Sequence, residues 1–178
     1  MLTATIGDIR ISMTEGELPA LYDRFIEHAR LVDTFGLQGS EPGLTYLGLS
    51  QGEETWPRLV VAQRYGPSEG GFHPEALVVP ESSLLFLGAG TRLLAYDFAA
   101  PSRRWEDSAD TGFWGWARFG GVVVMSAELE CAAWTIDGHK LWSTFVEPPW
   151  DYKVERDLVH LDVMGARSSF PLLAGPPV

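Results

Sequence analysis

An internal repeat of 38 residues limits the folds open to this chain. Leu84-Leu85-Phe86-Leu87-Gly88 aligns with Val122-Val123-Val124-Met125-Ser126 at an offset of 38 residues. The same offset carries Leu94-Ala95-Tyr96 onto Ala132-Ala133-Trp134, and Ala76 onto Trp114. Both units close on a tryptophan, Arg104-Trp105 in one and Leu141-Trp142 in the other, with a one-residue slip. A third, truncated copy runs from Tyr152 through Leu158-Val159-His160-Leu161 to Ser169-Phe170. Each copy reads as a small antiparallel sheet. Such a sheet cannot bury both apolar faces alone, so the copies must stack or share a core.

Around the repeat, short runs rich in Val, Leu, Phe, Tyr and Trp alternate with turn clusters about every ten residues, the pattern of a β meander. Asp137-Gly138 is the clearest tight turn. Parallel βαβ topology is disfavoured, because no long helix interrupts the run from residue 44 onward. One helix is predicted before it, over about residues 16–33. Thr14 and the acids Glu15 and Glu17 suit a helix start, and Leu18, Leu21, Tyr22, Phe25, Ile26, Ala29 and Val32 recur at three- and four-residue steps. The fold class is therefore mainly β. It is an antiparallel meander of roughly three to four small propeller-blade-like sheets, with one N-terminal amphipathic helix covering an open sheet edge. At 178 residues a single domain is expected. Residues 1–43 would supply a strand, the helix and a loop, and residues 44–178 the β repeats.

The repeat resembles the β-propeller blade, in particular the quinoprotein-like repeat. The residues that carry the likeness are Ala95-Tyr96-Asp97 with Trp105, and Ala133 with Asp137-Gly138-His139-Lys140-Leu141-Trp142. The resemblance spans roughly residues 76–145 and about two complete units, and it implies blade geometry without quinone binding. A curved antiparallel sheet or half-barrel built from similar hairpins is the alternative.

Composition narrows the function classes. Acidic residues outnumber basic ones 24 to 13, giving a formal net charge of −11. General nucleic-acid binding is disfavoured, because phosphate neutralisation needs a basic face. No apolar run is long enough for a membrane helix, and the N-terminus lacks the basic start and apolar stretch of a secretory signal. The one cysteine, Cys131, excludes an internal disulfide and a cysteine-based zinc cage. Asparagine is absent, and lysine occurs only at Lys140 and Lys153, a bias that suits a GC-rich bacterial genome. A reduced, cytoplasmic protein is the expectation.

Catalytic patterns are sparse. His28, His73, His139 and His160 share no ligand spacing, so no metal is expected. Cys131 starts an apolar strand, and Glu128 and Glu130 beside it would raise its pKa, which suits a small core residue. Gly88-Ala89-Gly90 and Gly70-Gly71 match no phosphate-cradling motif, and no cofactor is expected.

The acids and aromatics are more suggestive. Glu106, Asp107 and Asp110 fall between the two units, Glu128 and Glu130 flank a hairpin turn, and Asp151 lies near the C-terminus. In the strand around Trp114-Gly115-Trp116-Ala117-Arg118, strict alternation puts Trp114, Trp116 and Arg118 on one face, opposite Phe113 and Phe119. Trp and Arg are enriched at interface hot spots, although tryptophans that define a repeat are commonly packing anchors. Val146-Glu147-Pro148-Pro149-Trp150-Asp151 reads as a rigid aromatic loop. The leading expectation is a non-catalytic binding protein that resembles, as a class, the small acidic bacterial immunity proteins. Its acids would attract a basic, toxin-like protein, and Trp114, Trp116 and Trp150 would anchor it. The alternatives are a sugar-binding or carbohydrate-active module with carboxylates in a Trp-lined cleft, and an assembly module that pairs through an open β edge.

Overall fold

The computed structural model describes residues 1–177. Four small sheets follow one another along the chain. The first contains β1 (Leu2–Ile6), β2 (Ile9–Glu15), β3 (Leu31–Phe35), β4 (Gly43–Gln51) and β5 (Leu59–Tyr65) in the order β1-β2-β4-β5-β3. The second is β6 (Glu75–Val79), β7 (Leu84–Ala89), β8 (Arg92–Asp97) and β9 (Ser102–Ser108). The third is β10 (Phe113–Phe119), β11 (Val122–Ala127), β12 (Glu130–Thr135) and β13 (Lys140–Phe145). The fourth has only β14 (Trp150–Glu155), β15 (Leu158–Val163) and β16 (Ala166–Pro171). The fold is therefore mainly β, built from blade-like meanders with one short α-helix among the described residues, α1 (Tyr22–His28).

The 38-residue repeat is the second and third sheets. Ala95 pairs with Trp105 and Ala133 with Trp142, and both ladders bulge at the next step, Ala95/Tyr96 and Ala133/Trp134. The one-residue slip between the tryptophans has a local cause. The β12–β13 turn is one residue shorter, closed by Gly138 N–H donating to the Thr135 carbonyl at 2.9 Å with Gly138 at φ +85°.

Three apolar clusters bind neighbouring sheets. Leu47, Leu49, Leu59 and Val61 of the first sheet meet Leu85, Leu87, Leu94 and Tyr96 of the second. The opposite face of the second, with Phe86, Leu93 and Ala95, meets Phe113, Trp116, Met125 and Trp134. Val122, Val124, Cys131 and Ala133 then pack on Val159, Leu161 and Phe170. The side-chain period of two explains this alternation, since successive residues of β7 or β11 serve opposite neighbours. Each fully buried large side chain contributes about 1.5–3 kcal/mol. Among the described residues, no apolar cluster joins the fourth sheet to the first.

The expected helix is corrected, and β3 adds detail to the first sheet. The helix covers Tyr22–His28 rather than 16–33. Thr14 belongs to β2, and Ala29 is already extended at φ −68°, ψ 145°. Leu31–Phe35, whose Val32 fits the expected helical face, alternates half-buried and exposed and pairs in parallel with Leu59–Gln63. An unfilled edge of β5 thus overrides local helical preference. The meander is accordingly not purely antiparallel. The boundary at residue 43 also falls inside one sheet, because β1, β2 and β3 pair into the ladder of β4 and β5.

Candidate functional site

The first strands of the second, third and fourth sheets converge along one side. Trp116 N–H of β10 donates to Glu75 Oε2 of β6 at 3.3 Å. Trp114 of β10 stacks on Trp150 of β14 with ring centroids 5.4 Å apart and planes at 18°. Trp150 in turn lies 6.1 Å from Tyr152 at 27°. The result is a ladder of three aromatic rings beside a carboxylate. Partial burial raises the Glu75 pKa, against the Trp116 N–H, which lowers it. Burial also pushes the Tyr152 phenol up to about 12, so it is a neutral donor at physiological pH.

The tryptophan stripe is corrected by a β-bulge. Phe113 pairs with Ala127 and Gly115 with Ser126, so Trp114 is the extra residue and alternation restarts beyond it. Phe113, Trp116 and Arg118 therefore share the face towards the second sheet, contrary to the expected grouping. Trp116 is buried with Phe113 in that core, at a centroid distance of 5.3 Å. Arg118 forms a two-point pair with Glu81, with contacts of 2.9 and 3.0 Å. Trp114 is left 38% exposed on the other side.

The predicted acids divide into separate groups. Glu106 is engaged by Arg92 at 3.0 Å and Arg103 at 3.1 Å. Asp107 pairs with Lys140 at 2.8 Å. Asp110 and Glu130 come together, since Asp110 N–H donates to Glu130 Oε2 at 3.1 Å, and Lys140 stands 3.9 Å from Glu130 Oε1. These two acids line a groove of about 400 Å³ with Leu129, Thr144 and Phe145. Phe145 is 66% exposed at its rim. Glu128 contributes its carbonyl, which accepts from Trp150 Nε1 at 3.1 Å. Asp151 turns back on its own strand and accepts from Tyr152 N–H at 2.8 Å.

Sequence reasoning missed Glu75, Tyr152 and Phe145. The offset of 38 carries Trp114 onto Tyr152, a signal that could have found it, whereas Glu75 falls opposite Phe113 and carried none. Phe145 carried no distinguishing signal. The fully buried Cys131 thiol is pushed up to about 12, first by burial and then by Glu130. Among the described residues, no group of three His, Cys, Asp or Glu side chains is placed to hold a metal ion. No described helix is long and apolar enough to cross a membrane.

No family model matches this chain, and no curated protein matches it. Among solved structures it is similar to BamB from Moraxella catarrhalis, with 14% identity, 71% of this chain and 44% of that one covered, and a TM-score of 0.38. It is also similar to Hsv2 from Kluyvelomyces marxianus, with 12% identity, 55% and 34% covered, and a TM-score of 0.31. Both neighbours are β-propellers, and this chain spans less than half the length of either.

Proposed function

We propose that this chain is a non-catalytic binding module for a basic protein, received in the groove between β9, β12 and β13. One observation carries the reading. Asp110 and the largely shielded Glu130 carboxylate share a groove with Phe145, which exposes an apolar ring at its rim. Two acidic residues beside a desolvating aromatic suit a lysine or arginine side chain, and the net charge of −11 supplies long-range attraction. The finer form of the proposal is an immunity-type role in the bacterial cytosol, in which occupancy of the groove occludes a toxin-like partner. Glu106, Asp107 and Arg118 serve mainly structural ion pairs in this reading, and Trp116 is core.

The test compares the wild-type chain with Asp110→Lys and Phe145→Ala as immobilised baits in a bacterial lysate. The reading expects a basic protein that elutes from wild type as salt rises and associates about tenfold more slowly with Asp110→Lys. A retained protein indifferent to both variants, or none at all, overturns it.

The ladder of Trp114, Trp150 and Tyr152 beside Glu75 favours a second reading, a sugar-binding cleft. Flat rings with a nearby carboxylate suit the apolar face and hydroxyls of a pyranose. A glycan screen in which Trp114→Ala abolishes binding would support it, and an empty screen would remove it.

A further inference from the structure

The first sheet has a second face that neither reading uses. Odd-numbered Ile9, Ile11, Leu47 and Leu49 point into the core with the second sheet. Even-numbered Arg10, Ser12, Tyr46, Gly48 and Ser50 therefore point the opposite way. Register brings them together, since Ser12 pairs with Thr3 on one side and Gly48 on the other, and Arg10 pairs with Ser50. Helix α1 and Trp56 roof this face. Phe25 stacks on Tyr46 at 5.8 Å and 26°, and lies 6.1 Å from Trp56.

Beneath that roof is a cavity of about 180 Å³. Its polar lining is Thr3, Arg10, Ser12, Tyr46, Ser50 and Thr55, with no carboxylate among the lining residues. In a chain of net charge −11, the charged residue of this lining is a cation. Arg10 makes no ion pair among the described residues, and its guanidinium donates to the Glu54 carbonyl. The Tyr46 hydroxyl is fully buried beside the Ser12 hydroxyl, whose hydrogen bonding acts to lower the phenol pKa, yet no partner meets full bonding geometry. Buried polar groups are almost always paired, so an orphan at a polar cavity points to a missing partner. Burial pushes this phenol up to about 12, which keeps its proton available for donation. The phenol closes down on Gly48, where a Cβ would stand 2.2 Å from the Tyr46 oxygen and 3.2 Å from Ser12 Oγ, so a glycine is what admits the hydroxyl there.

We infer that this cavity binds a small oxyanion, a carboxylate or phosphate group, through Arg10, Ser12 and Tyr46, with Phe25 covering it. Its volume matches the share of roughly six waters, room for the anionic group and a few further atoms. Arginine and hydroxyl donors without a competing acid are the chemistry such a group requires.

The experiment is an amide NMR titration of the full chain with sodium acetate and, separately, inorganic phosphate, at constant ionic strength balanced with sodium chloride. Saturable shifts confined to Ser12, Gly48, Ser50 and the Trp56 indole are expected, and the ion that saturates distinguishes carboxylate from phosphate. Arg10→Gln, an exposed position, should weaken binding at least about tenfold. Tyr46→Phe, which retains the ring stack, should weaken it several-fold. Shifts that never saturate with either ion, or a saturation unchanged in Arg10→Gln, overturn the inference. Because no residue of the acidic groove or the aromatic ladder takes part, this result is independent of both functional readings.

Discussion

Tyr96 Oη donates to Asp33 Oδ2 at 2.9 Å, tying β8 of the second sheet to β3 of the first across 63 positions of sequence. Arg103 stands 3.4 Å from the same carboxylate, and its guanidinium lies over the Phe35 ring at 5.3 Å. Arg92 covers that ring more closely, at 4.4 Å. The parallel strand is thus clamped from its side chains as well as through its backbone. Asp33→Ala leaves a buried phenol unpaired, and should destabilise the fold by about 1–3 kcal/mol in urea denaturation. Adding Tyr96→Phe should recover part of that loss, because the orphaned hydroxyl is gone.

Trp142 holds the C-terminal segment in a comparable way. Its Nε1 donates to the Leu172 carbonyl at 2.7 Å, and its ring lies edge-on to Phe170 at 5.3 Å. Trp142→Phe keeps most of the apolar contact but strands the carbonyl. A loss of about 1–2 kcal/mol is expected, with faster hydrogen exchange in β16 ahead of the other strands.

Glu75 gives a pH dependence of definite sign. Its folded pKa is raised, so the folded state holds the proton more tightly than the unfolded chain does. The contribution is fully present below the ordinary carboxylate pKa and is lost as pH rises through the raised value. Glu75→Gln, which keeps an acceptor for Trp116 N–H, should therefore melt higher than wild type at pH 7. The two proteins should converge near pH 4. A gap that widens on acidification would contradict the assignment.

Cys131 should be inert in the native state. With its thiol pushed up to about 12 inside the core, the reactive thiolate is scarce and shielded. Alkylation by iodoacetamide at pH 8 should run at least about a hundredfold slower than in urea.

Much of this architecture is legible in the residues. The offset of 38 locates two equivalent sheets because pairing, bulge and closing tryptophan recur together, and each depends on nearby chain. Even the slip of one residue is local, since a Gly138 turn shortens one hairpin. Phe113-Trp114-Gly115-Trp116 shows the limit. Its composition announces a strand, but a bulge, set by pairing with β11, decides which tryptophan enters the core and which remains exposed. Asp110 and Glu130 are likewise visible as acids and unplaced as neighbours until the β9–β10 connection meets β12.

The strand-and-turn grammar, the repeat and the acidic surplus are properties of the residues in order, because they follow from side-chain period, turn chemistry and composition. Long-range pairing makes Leu31–Phe35 a strand rather than the end of a helix, places Trp114 against Trp150 and leaves Tyr46 beneath α1. Each of those outcomes depends on an edge, a face or a void supplied by residues far away in the chain. Local preferences of a few tenths of a kcal/mol per residue are too small to prevail over such contacts.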